Sequence, residues 1–263
     1  MLVFSAITPH SPLLLPSVNT DKYEQVRQTT NAMHELADEL YATRPDVIVL
    51  LSEHPTSYSD TFSINVSDPY RFDLSEFGNL GFRQEYRPAI MLIDRLQRSL
   101  RSQGQPITLT TDIQLHHASA VPLALLTKQL PHIKLVPITY SDLDAKKHFA
   151  FGQSLKDVLT SSPERIAVIA SGDLSHALAT ESPAGFHKSG EKFDKKIQEL
   201  VAQKNASSLV KLSSKLVEEA EQTIYRPLLI LFGILDHISI SPRIESYESP
   251  FGVGFLVSHM PIV

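Results

Sequence analysis

The chain has no cysteine in 263 residues, and that one absence removes several chemistries together. Disulfides, thiolate nucleophiles, thiolate-held zinc and iron–sulfur clusters are excluded. Any metal site must be built from histidine, aspartate and glutamate, a donor set that suits non-haem iron, manganese or hydrolytic zinc better than copper(I). A basic patch is also missing. The net charge is −5, the lysines and arginines are scattered, and no nucleic-acid footprint results. Long hydrophobic runs are absent as well: the longest, around Leu228 to Leu235, falls far short of a membrane span. The opening Met1 to Thr8 has no basic region before its apolar run, and Pro9 and His10 interrupt it early, unlike a signal peptide. These features predict a soluble, cytoplasmic protein with no membrane or nucleic-acid partner. No repeat, low-complexity run or linker divides it, so residues 1–263 are expected to form a single domain.

What the chain does have is histidine, eleven of them, several at similar structural points. The clearest is Ile166-Ala167-Val168-Ile169-Ala170-Ser171-Gly172-Asp173-Leu174-Ser175-His176. Its apolar half reads as a strand buried on both faces, broken at Gly172 so that Asp173, Ser175 and His176 stand in the following loop. Ligands of open α/β sheets bind beyond the carboxyl ends of the strands. Taken alone, the segment fits an ordinary strand-to-helix turn equally well.

Other strand ends repeat the pattern. Leu2 to Thr8 runs into Pro9-His10-Ser11-Pro12, and Asp46 to Ser52 runs into Glu53-His54-Pro55. His116-His117 stands just before a helix expected from about Ser119, with Pro122 in its first turn. Helices are expected near 21–43, 90–102, 143–160, around 193–201 and 218–237, with a loop or lid at 67–83. Two closing strands, about 238–247 and 254–257, bracket Glu248 to Val253. Strands alternating with helices predict a three-layer α/β/α sandwich, and the hairpin-like final pair predicts a mixed, mostly parallel central sheet.

Two histidines and one carboxylate with open positions is the facial arrangement of oxygen-using non-haem iron enzymes. His10, His54, His117, His176 and Glu248 are therefore the candidates, and spacing alone does not select which of them bind metal. A histidine near such a site could instead act as acid or base.

Here the residues carry a resemblance. Thr8-Pro9-His10, Ser52-Glu53-His54-Pro55, His117 to Leu123 and Ser171 to His176 resemble, in order, the class III extradiol ring-cleavage dioxygenases, the group related to the catalytic subunit of protocatechuate 4,5-dioxygenase. Tyr247 to Gly254 resembles the subgroup that accompanies AMMECR1-type domains. The resemblance implies that His10, His54 and Glu248 hold a divalent metal, usually iron(II), with zinc or manganese as alternatives. It implies that His176 is the acid/base residue and that His117 assists near the substrate. A small aromatic diol and dioxygen are the implied partners, with a homodimer as the implied assembly. Glu245 lies three residues before Glu248, so on a strand the two face opposite sides and only one can enter the site. Glu248 is preferred because it lies in the matching segment. Glu53, alternating with His54, is expected to point away from the metal. Two other classes remain open: a zinc hydrolase on the same site, and a non-catalytic metal-binding partner of an AMMECR1-type pathway.

Overall fold

Branched apolar residues dominate the central strands, and their alternation sorts them onto two faces. A computed structural model describes the backbone of residues 1–263 and the side chains of all but residues 79–81. Four strands form its parallel centre: β1 (Leu2–Thr8), β2 (Val47–Ser52), β7 (Lys134–Thr139) and β8 (Ile166–Ser171), in the order β7-β2-β8-β1. Beyond β1 run β10 (Phe255–His259) and β9 (Arg243–Glu248), each antiparallel to its neighbour. The far edge of β7 is shared. Its first half pairs in parallel with the end of β5 (Asn79–Pro88), which forms a hairpin with β4 (Tyr70–Leu74). Its second half pairs antiparallel with β3 (Phe62–Asn65), which pairs with β6 (Ile107–Thr110).

The alternation of β2 shows how the layers form. Val47, Val49 and Leu51 face one core with α2 (Ile90–Ser102), α4 (Ala145–Ser161), α5 (Lys188–Ala202), α6 (Ala206–Val210) and α8 (Tyr225–Ile234). Ile48 and Leu50 face the other core with α1 (Arg27–Ala42) and α3 (His117–Leu126). The expected three-layer sandwich with a mixed, mostly parallel sheet is the observed one. Among the described residues, no helix is long and apolar enough to cross a membrane.

Three departures from the expected elements bear on the site. Residues 67–83 hold the β4/β5 hairpin, because Tyr70, Phe72 and Leu74 alternate inward and are buried. The helix expected over 218–237 splits: α7 (Ser214–Glu219) ends before Glu221, whose φ is +49°, and α8 begins at Tyr225. The irregular stretch between them carries Thr223. Finally, α3 starts at His117, so Pro122 lies inside it. The missing Pro122 N–H would have bonded the Ala118 carbonyl, and that carbonyl accepts from Ser171 Oγ instead.

Candidate metal centre

Every group of the centre comes from the carboxyl end of a parallel strand or from the start of α3. Pro9 stops β1 and leaves His10 buried at its tip. The His10 N–H donates to Asp173 Oδ1 at 2.9 Å, joining the β1 and β8 ends. Gly172 is required there: a Cβ would lie 2.6 Å from Ile224 Cα. Its absence lets residues 223–224 close on the loop, where Thr223 N and Ile224 N donate to the Asp173 carbonyl and Asp173 N donates to Thr223 Oγ1. Ser52 Oγ and Ser119 Oγ, 2.7 Å apart, fasten the end of β2 to the first turn of α3 and so fix His117.

These constraints gather His10, Glu53 and His117, each with one ligating atom within 4.8 Å of the others. Glu53 Oε1 lies 3.6 Å from His10 Nε2, and Tyr140 OH donates to Glu53 Oε2 at 3.4 Å. Ser171 Oγ gives its proton to Ala118, so at 3.5 Å from His10 Nδ1 it can only accept. That arrangement assigns the His10 proton to Nδ1 and leaves Nε2 as a lone pair facing Glu53. Burial, and then the neighbouring His10, push the His117 pKa down to about 4. The ring is therefore neutral at pH 7, the form in which a histidine ligates metal.

His176 completes the cavity, a space of about 330 Å³ walled on its apolar side by Phe251, Val253 and Phe255. Its Nε2 is buried without a hydrogen-bond partner among the described residues and lies 3.7 Å from Asp173 Oδ2. Burial disfavours the imidazolium, but the Asp173 carboxylate outweighs it, and the His176 pKa is raised. Burial also opposes the Asp173 charge, yet His10 and His176 hold that carboxyl below its ordinary range. Behind the loop, Asp194 Oδ1 accepts from Ser175 N and Oδ2 accepts from Tyr247 OH, both at 2.8 Å. Gly254 admits this contact, since its Cβ would stand 2.1 Å from Asp194 Oδ2.

A family model described as the catalytic LigB subunit of aromatic ring-opening dioxygenase matches residues 5–258. The chain belongs to this family. Among curated proteins it is similar to Protein CA_C1420 of Clostridium acetobutylicum, 26% identical over 258 residues. That match takes in 95% of this chain but 55% of the relative, so the LigB-family chain spans about half the relative's length. Among solved structures it resembles uncharacterized protein JW3007 from Escherichia coli K12, with TM-score 0.68 and 17% identity over 98% of this chain and 99% of that one. At that identity the likeness shows the fold alone.

The structure brings together three of the five candidates, His10, His117 and His176, and adds Glu53 and Asp173. The other two stand apart from this cavity's lining. Glu53 was expected to face away from the metal, and it faces inward while His54 faces a neighbouring cavity. Thr56 N donates to His54 Nδ1 at 3.1 Å and turns that ring outward. Glu248 Oε1 accepts from Thr29 N at 2.7 Å, supplying α1 with the cap that Val26, the residue before it, cannot give. Glu245 Oε1 pairs with Arg243 Nε at 3.1 Å. The segment containing Glu248 still serves the cavity through Phe251 and Val253. His116 Nδ1 and His187 Nδ1 both accept helix N-terminal N–H groups, as caps.

Proposed function

We propose that this LigB-family chain is an extradiol dioxygenase-like oxidoreductase that opens a catechol-type ring, with iron(II) held by His10, Glu53 and His117. The observation that carries the reading is the convergence of two imidazoles and one carboxylate beside His176, whose Nε2 has no hydrogen-bond partner among the described residues. The donors fit the group: two nitrogens and one oxygen leave the remaining coordination positions for small molecules. The resemblance-derived set of His10, His54 and Glu248 would require His54 to leave Thr56 N and Glu248 to leave Thr29 N. A redox-active metal held there would supply electron transfer between a bound diol and dioxygen.

The chain's own residues supply the rest. His176 Nε2, with no hydrogen-bond partner among the described residues, can take a proton from a diol hydroxyl, and Asp173, 3.7 Å away, stabilises the imidazolium that results. Asp173 also grips the His10 backbone, so acid/base group and ligand are held in one frame. Phe251, Val253 and Phe255 give the cavity an apolar stretch of lining, which restricts water around the reacting ring. Two histidines and a glutamate also suit a hydrolytic zinc, so the donor set alone favours neither chemistry.

Protein purified without air, loaded with iron(II) and given a catechol panel tests the reading by oxygen uptake. One dioxygen consumed per catechol, with a ring-opened product, is expected. Stoichiometric zinc with ester or amide hydrolysis and no oxygen uptake would contradict it.

A further inference from the structure

Beside the metal centre lies a second cavity of about 340 Å³, and the His117 ring forms a wall of both. Phe77 meets that ring edge to face at 5.9 Å between centroids, and His116 lies against it at 3.9 Å. The size is at the small end of ligand sites, which run from about 300 Å³ upward. The cavity is as large as the first and shares the His117 wall with it, so it has room for a ring substituent.

Two imidazoles set the polarity of this cavity. Thr56 N donates to His54 Nδ1 at 3.1 Å, and Ala118 N donates to His116 Nδ1 at 3.4 Å. A neutral imidazole whose Nδ1 accepts carries its proton on Nε2. Both rings therefore offer an Nε2–H, and neither has a protein acceptor for it among the described residues.

Charge sets the selectivity. No lysine or arginine is among the described residues lining either cavity, whereas Asp73 and Glu76 line the second one. Lys22 lies over the Phe251 ring, 5.8 Å from its centroid, without joining the lining. Asp73 has Arg83 as its cross-strand partner and shares a separate groove with it. Glu76 has no ion pair among the described residues. A carboxylate substituent would enter this cavity beside Glu76 with no cation to pair with. A carbonyl or hydroxyl oxygen could accept from the imidazoles without that repulsion.

We propose that this second cavity receives the ring substituent of the substrate and selects an uncharged, oxygen-bearing group over a carboxylate. The proposal rests on the reading of His10, Glu53 and His117 as the metal ligands, which leaves His54 free to donate. Methyl 3,4-dihydroxybenzoate and 3,4-dihydroxybenzoate differ in that charge and in one methyl group, so the charge is isolated by how their ratio responds at Glu76. The full chain loaded with iron(II) is compared on both by oxygen uptake, by anaerobic calorimetry and by metal content.

The ester is expected to be favoured by about tenfold in kcat/KM and in Kd. Glu76→Lys should shrink the ester-to-acid ratio about three- to tenfold, and less at high salt. Phe77→Ala should weaken the binding of both compounds. Equal affinities for acid and ester overturn the proposal, as does a ratio that ignores Glu76→Lys in protein that has kept its metal. If neither compound is turned over but the calorimetric preference and its Glu76 dependence persist, the cavity assignment stands and the dioxygenase reading fails. If unsubstituted catechol is turned over while acid and ester bind alike, the reverse holds.

Discussion

Two histidine-lined cavities meet at His117, and they use the same side chain in opposite ways. In the first, the His10 backbone is held by Asp173 and its Nδ1 is directed at Ser171, which turns Nε2 toward Glu53, with Thr223 Oγ1 3.4 Å away. In the second, the Nδ1 atoms of His54 and His116 are taken up by backbone N–H groups. The first cavity therefore offers lone pairs to a cation, and the second offers N–H donors to a substrate oxygen. A histidine's position at a strand end does not decide its chemistry. The hydrogen bond made by its other nitrogen does.

The largest expected effect separates a ligand from an acid/base group within the first cavity. His10→Ala should lose both metal and turnover. His176→Ala should keep its metal, measured by elemental analysis, and lose about 10²- to 10⁴-fold in kcat. If His176→Ala strips the metal as well, the assignment of roles in the first cavity is wrong.

A smaller effect tests whether Glu248 belongs to the centre or to α1. Removing the carboxylate that caps Thr29 N should cost about 1 kcal/mol, as other N-cap losses do. Glu248→Ala should therefore shift the denaturant midpoint while metal stoichiometry stays at the wild-type value. Loss of metal at full stability would return Glu248 to the ligand set.

A pH-dependent effect concerns the support behind His176. Burial pushes the Asp194 carboxyl up to about 6 from its ordinary value near 3.8, despite the bonds from Ser175 and Tyr247. A raised folded-state pKa means that its contribution to stability is full below the unfolded value and is lost as pH rises through the folded one. Relative to Asp194→Asn, the wild type should lose stability between about pH 4 and pH 6 and run parallel above that. A constant difference in melting temperature across this range would show that Asp194 ionises without penalty.

Much of this was legible in the sequence. The central strands announce themselves by branched apolar runs, and Pro9, Gly172 and Pro55 mark where they stop. His10, His117 and His176 could be placed at one end of the sheet on that basis. The facing of Glu53 and His54 could not, because past the strand's last ladder bond the parity is set by whichever side chain a later N–H captures, here that of Thr56. The role of Glu248 was hidden for a related reason. Its partner, Thr29, lies 219 residues away, and only the packing of α1 against β9 brings them together. The β4/β5 hairpin was obscured by polar residues between Tyr70, Phe72 and Leu74, although their alternation was the available signal. The broken helix before Tyr225 had one local signal, Pro227, which a first turn tolerates and a helix interior does not; residues 220–224 leave the helix to let Thr223 and Ile224 bind Asp173.

The most direct test of the central claim compares two neighbours in the chain, Glu53 and His54. Metal stoichiometry is measured on Glu53→Gln and His54→Ala, both purified without air and reloaded with iron(II), with folding checked by circular dichroism. The account predicts that Glu53→Gln is folded and largely metal-free while His54→Ala retains one metal per chain. The opposite result, metal kept without Glu53 and lost without His54, would contradict it.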